Sequence, residues 1–214
     1  MKILSLSGFV PEAIVDTIRF WNFSGERSIS HYCGYASDYI SNVLNDSTID
    51  GAVYPKSCDS TRIITSYLKD SGKFLYQLNV PSYGVIGAEQ FLEKSIIDYK
   101  DSVERHFELT ITDDEVRQRA TLVNERNTLI NNLYTSIDSV SYSLYMRTIH
   151  DALMVPLESQ CKVFEKEINQ GKAYDSNKRV FIVGSSLTNV AIVDYIEKIG
   201  LKVVGDTLPV SPQS

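Results

Sequence analysis

The first eighty residues alternate between two periodicities, and that alternation constrains the fold more than any single motif. Residues 2–6 (KILSL) are a short apolar run closed by Ser7-Gly8, which reads as a strand and its turn. From Pro11 to Trp21 the apolar residues Ile14, Val15, Ile18 and Trp21 recur at three- and four-residue spacing. That predicts a helix with proline in its first turn, where the missing N–H costs nothing. Residues 24–30 (SGERSIS) read as a polar loop. Helical spacing returns from Tyr35 to Leu44 through Ala36, Tyr39, Ile40 and Val43. Asp50-Gly51 leads into the short buried strand Ala52-Val53-Tyr54, which Pro55 ends. Ser60 to Leu68 predicts a further helix with Ile63, Ile64 and Tyr67 on one face, and Phe74 to Leu78 the next strand. Strands and helices alternating over short connections specify an α/β fold, a parallel sheet with helices on both faces.

Beyond Pro81 the pattern changes. Residues 87–107 and 112–170 are helical in period, the second opening on Thr112-Asp-Asp-Glu115 in the manner of a capping box. Arg179–Val183 then predicts a strongly buried strand ending in Gly184-Ser185-Ser186. A helix follows through Val190, Ile192, Val193, Ile196 and Ile199, with Gly200 at its C-cap, and Leu201–Val204 is a last strand. The expected organisation is an α/β domain over 1–82, a helical connector over 83–177, and the start of a second α/β domain over 178–214. One β-α-β unit is too little to cover both faces of a parallel sheet. Its uncovered side should therefore be apolar, built from Val180, Ile182, Val203 and Val204.

Composition narrows the function classes. With 43% hydrophobic and 22% charged residues, the chain can build a core and is neither disordered nor a disulfide scaffold. The net charge is −6 and no basic cluster stands out, which argues against nucleic acid as a partner. No apolar run reaches the roughly 20 residues that span a bilayer, so no membrane segment is expected. The N-terminus reads as a strand and not as a signal peptide, so the three cysteines are expected to be reduced thiols in the cytoplasm.

The chemistry-bearing residues are few. Cys33 and Cys58 each stand just before a predicted helix, Cys58 shortly after a strand. Open α/β sheets bind ligands outside the carboxyl ends of their strands, where a thiolate can ligate iron or attack as a nucleophile. Two ordinary buried thiols fit the same positions. Their spacing is not CxxC, which removes a zinc ribbon or a thioredoxin-like site. Cys161 lies among helical apolar neighbours (Val163, Phe164, Ile168) and reads as packing. His31, His106 and His150 form no helical metal pair, although His31 precedes Cys33 by two residues. Gly184-Ser185-Ser186 has the shape of an anion-binding turn without a full nucleotide fingerprint. Glu12, after the first strand, reads as first-turn charge complementing a helix dipole.

Several segments taken in order carry a resemblance. They are Phe9-Val-Pro-Glu12, Tyr32-Cys-Gly-Tyr35, the run Asp50–Arg62 (DGAVYPKSCDSTR), Leu78-Asn-Val-Pro81, Asn124-Glu-Arg-Asn127 and Arg179–Asp206. This collinear set resembles the D-component subunits of 2-hydroxyacyl-CoA dehydratases, a family that also includes benzoyl-CoA reductase-type subunits. The resemblance implies flavodoxin-like α/β domains joined by helices, with a 4Fe-4S cluster between them held by three cysteines. Two of those ligands fall on Cys33 and Cys58; the third family ligand lies beyond this chain, and Cys161 does not match it. Asp16–Trp21 stands where the family has a glycine-containing segment.

The activity so implied is removal of water from an (R)-2-hydroxyacyl-CoA through a ketyl radical, after one-electron transfer from an ATP-dependent activator. The implied partners are a second dehydratase subunit or a missing C-terminal half, the activator, and the acyl-CoA substrate. Other readings stay open at this point. They are a benzoyl-CoA reductase-like thioester reductase subunit, a non-catalytic accessory protein that keeps the fold without a competent cluster, and an unrelated flavodoxin-like binding domain.

Overall fold

The computed structural model describes residues 1–6, 10–20, 33–82, 84–168, 176–184, 187 and 189–207. The chain divides into two units, Met1–Ala120 and Thr121–Ser214. The first is built on a four-stranded parallel sheet of β1 (Ile3–Ser5), β2 (Thr17–Arg19), β3 (Gly51–Pro55) and β4 (Phe74–Leu78). Their order is β2-β1-β3-β4, the flavodoxin-like arrangement, in which the winding direction switches between β1 and β3.

Side-chain alternation along the strands makes two cores. Leu4, Ala52 and Tyr54 point to one face, where they pack with Tyr39, Ile40 and Val43 of α1 (Gly34–Asn45) and with Ile64 and Leu68 of α3 (Ile64–Leu68). Ile3, Val53, Phe74 and Leu78 point to the other, against Tyr99 and Val103 of α4 (Ala88–Phe107). Gly51 is required by this packing, because a Cβ there would sit 2.9 Å from the Cβ of Phe74 and 3.1 Å from its carbonyl oxygen.

The helix expected over 11–21 is not formed in the described part of that segment. Residues 12–15 make turns and β2 begins at Thr17, while Trp21 and the loop 24–30 lie outside the described residues. The apolar residues here serve both faces of the sheet: Val10, Ile14 and Val15 join one core and Phe20 the other. A helix would place them on one stripe. Thr17 and Ile18 are β-branched and favour extended backbone. The Arg119 guanidinium fixes the turn by donating to the carbonyls of Ala13 and Ile14, at 3.0 and 2.8 Å.

The expected helix over 60–68 is two short pieces, α2 (Asp59–Arg62) and α3, divided at Ile63. The long helical stretch becomes α5 (Asp113–Thr135), α6 (Tyr142–Leu153) and α7 (Leu157–Ile168). Ser141, whose hydroxyl accepts from the Leu144 N–H, starts α6, and Pro156 precedes α7. The capping box of α5 forms as read, with Thr112 N–H donating to Glu115 Oε2 at 2.8 Å and Glu115 N–H to Thr112 Oγ1 at 3.3 Å.

The second unit adds a two-stranded parallel sheet, β5 (Arg179–Ile182) and β6 (Lys202–Asp206), joined through α8 (Ala191–Lys198). Glu197 of α8 accepts from the Ser141 hydroxyl and the Tyr142 N–H at the start of α6. Buried Arg126, within the Asn124–Asn127 segment, donates to Gln160 of α7 at 2.9 Å. The burial expected of β5 is not found. Phe181 is 53% and Val183 77% exposed, whereas Val203, expected on the open side, is 1% exposed. The uncovered apolar surface here consists of Phe181 and Val183 with Ile192, Tyr195 and Ile199. The pleat sends Val203 and the half-buried Val180 and Ile182 inward, so the other parity of β5 faces out. No helix among the described residues is long and apolar enough to cross a membrane.

The buried Tyr39 hydroxyl lies 2.8 Å from the Leu4 carbonyl of β1 and 3.1 Å from the Val53 carbonyl of β3, holding α1 over the switch between them. Tyr39→Phe removes that donor, while the Val53 carbonyl keeps the Leu6 N–H at 3.0 Å, so the loss of one net hydrogen bond should cost about 0.5–1.5 kcal/mol. A urea titration should show a lower midpoint with an unchanged slope.

Candidate functional site

The site is assembled at the carboxyl ends of the first sheet. Cys33 is the N-cap of α1, and its sulfur accepts the Ala36 N–H at 3.4 Å. Two residues on, the Tyr35 hydroxyl sits 2.9 Å from the carbonyl oxygens of both Leu6 and Phe20, just beyond the ends of β1 and β2. That pair of contacts fixes the start of α1, and Cys33 with it, at the sheet's edge. Burial, aided by Cys33 and opposed by Arg19, pushes the Tyr35 phenol up to about 12, so it stays a neutral donor at ordinary pH.

Cys58 is the N-cap of α2, three residues past the end of β3. Its turn is held by Thr61, whose hydroxyl accepts from the Ser57 and Cys58 N–H groups at 3.2 and 3.1 Å and donates to the Cys58 carbonyl at 2.9 Å. The Lys56 N–H donates to the Leu78 carbonyl at 2.8 Å, carrying the β3–β4 ladder right up to the turn. Helices α1 and α3 pack on the same face of the sheet. Cys33 and Cys58 therefore both stand at the carboxyl edge of the sheet, each at the start of a helix, beside the β1/β3 switch. Both thiols are exposed.

Other residues singled out from the sequence are dispersed. Cys161 is half-buried in α7, and burial, Glu125 and Glu165 push its thiol above the usual range. His106 packs against the rings of Phe74 and Phe107 at 5.1 and 4.7 Å. His150 meets Asp151 at 2.9 Å. His31, Ser185 and Ser186 lie outside the described residues. Glu12 caps no helix. It is 6% exposed and pairs with Arg19 of β2 across 3.6 Å, an ion pair inside the first unit.

A cleft beside Cys58 was not legible as a site. About 460 Å³ in volume, it is lined by Lys56 and Arg62 together with Val80, Pro81, Ile86 and Phe91. The available signal was Lys56 itself, a cation placed directly after the last residue of a buried parallel strand.

An iron–sulfur cluster of the 4Fe-4S type is held by cysteine thiolates. Cys33 and Cys58 suit two such positions, and the Ala36 N–H on the Cys33 sulfur is the kind of contact that tunes a metal-bound thiolate. Among the described residues no group of three His, Cys, Asp or Glu converges as a metal site. Cys33 and Cys58 are thus two donors at this edge among the described residues.

Exposure and the raised Cys161 thiol set an order of reactivity. In limited alkylation with iodoacetamide at pH 7.5, peptide mass spectrometry should find Cys33 and Cys58 modified well before Cys161. Equal rates at all three would contradict the placement.

Among curated proteins no match was found. The family model described as 2-hydroxyglutaryl-CoA dehydratase, D-component, matches residues 3–212, nearly the whole chain. A parallel sheet of this order, two thiols on one edge and that match lead to one conclusion: the chain belongs to the 2-hydroxyglutaryl-CoA dehydratase D-component family.

Proposed function

We propose that this chain is one component of an enzyme that eliminates water from a 2-hydroxyacyl-CoA, giving the enoyl-CoA. In this reading Cys33 and Cys58 are its contribution to a 4Fe-4S centre. The observation that carries the reading is the placement of both thiols at helix starts on the carboxyl edge of the sheet, in a chain of this family. A D-component implies a partner component, and the thiolates missing from the described residues would come from that partner or from further α/β sequence.

The chemistry a bound cluster supplies is a low-potential electron for the thioester, delivered by an ATP-dependent activator protein. The chain's own contribution is structural. Tyr35 and Tyr39 hold Cys33 in place, Thr61 holds Cys58, and the buried sheet behind them keeps water from one side. The two-thiol donor set also favours a second reading, in which this component shapes the complex without holding a cluster alone.

Anaerobic reconstitution with iron and sulfide, with and without the partner component, tests both. Iron counting and visible absorption should show cluster formation that Cys33→Ser and Cys58→Ser each reduce severalfold and Cys161→Ser leaves intact. Cluster formation indifferent to Cys33 and Cys58 would overturn the first reading and favour the second.

A further inference from the structure

We propose that the second unit carries a phosphate-binding site, in which Lys202 and Arg179 take a dianionic phosphate group, free or on a small polar body. The inference stands apart from the dehydratase reading and holds or falls without it. The site is a cleft of about 330 Å³ lined by Asp138, Ser176, Asn177, Arg179 and Lys202. Arg179 and Lys202 are the first residues of β5 and β6 and face each other in the parallel ladder. The cleft therefore lies at the amino edge of this small sheet, opposite the carboxyl edge where open α/β sheets hold their ligands.

A buried charge without a counter-charge carries the proposal. Lys202 is 4% exposed, and its ammonium donates to the Asp138 backbone carbonyl, its one hydrogen bond among the described residues. An ammonium has three donors, and burying it without an anion is costly. The carboxylate of Asp138 is committed elsewhere, exposed and ion-paired with the Arg179 guanidinium. Two cations against one carboxylate leave the lining with a net positive charge. The guanidinium keeps N–H groups beyond the one given to Asp138, and exposed Asn177 adds an amide donor. Ser176 shapes the cleft, its hydroxyl donating to the Gly200 carbonyl at 2.6 Å and accepting from the Lys178 N–H at 3.2 Å. Every lining residue is polar, so no wall suits an acyl chain or an apolar arm. A phosphate offers oxygens on several sides and enough charge to face both cations at once. Bound there, it would join the starts of β5 and β6 to the turn between α5 and α6 that holds Asp138, and so stabilise the unit.

Thermal melts and calorimetric titration of the full 214-residue chain, with inorganic phosphate and with glycerol 1-phosphate against chloride, test this. Holding the ionic strength constant removes general screening. The phosphate group should raise the melting midpoint saturably over chloride. A rise with the inorganic ion assigns free phosphate, and a rise with the ester alone assigns a monoester. Arg179→Gln and Lys202→Met should each weaken binding about tenfold, the loss of one charge-assisted contact. Lys178→Gln, one residue away but outside the lining, should leave it unchanged. Lys178 and Arg179 are exposed, so their substitution should spare the fold, and that pair decides the matter even where Lys202→Met unfolds. No rise with either probe, or equal weakening by Lys178→Gln and Arg179→Gln, overturns the proposal.

Discussion

Two tyrosine hydroxyls govern the geometry on which everything else depends. Tyr39 reaches the carbonyls of Leu4 in β1 and Val53 in β3, and Tyr35 those of Leu6 and Phe20 just past β1 and β2, so one helix is bonded to three strands and their exits. The Leu6 and Phe20 carbonyls lie one residue past β1 and β2, and a buried carbonyl left without a donor costs free energy. The Tyr35 hydroxyl supplies a donor there, while Tyr39 adds one to carbonyls inside β1 and β3. Burial raises both phenols, so neither donor is lost by ionisation at ordinary pH. Cys33 inherits its place from this arrangement.

How much of this was readable in the sequence depended on whether local pattern and tertiary demand agreed. The strands over 52–54 and 74–78 and the helix over 35–44 were legible, because an apolar run or a single apolar stripe matches what the sheet requires. Residues 11–20 misled: their three- and four-residue spacing suits a helix, yet the same residues divide between two cores in an extended chain. The helical stretch 112–170 was right in kind and wrong in continuity, since the serine cap at Ser141 and Pro156 cut it. In β5 the residue types suggested burial, but only one parity of the strand turns inward, and Phe181 and Val183 stay exposed.

The site divides along the same line. That Cys33 and Cys58 precede helices was visible in their neighbours. That they share an edge was not, since it follows from the order β2-β1-β3-β4. Lys56, Arg62 and the Glu12–Arg19 pair gave no periodic signal, because isolated charges become a site only when strand ends gather them. Cys161 stands in the second unit with a thiol pushed upward by burial and by two glutamates.

The central claim is that the folded chain presents Cys33 and Cys58 to a common space. A short bifunctional maleimide, spanning no more than an iron–sulfur cluster, tests it without iron. Peptide mapping of the native chain should recover Cys33 and Cys58 joined within one molecule, and the link should vanish when the chain is unfolded in urea before treatment. Separate modification of each thiol in the native chain, with no intramolecular link, would contradict the account.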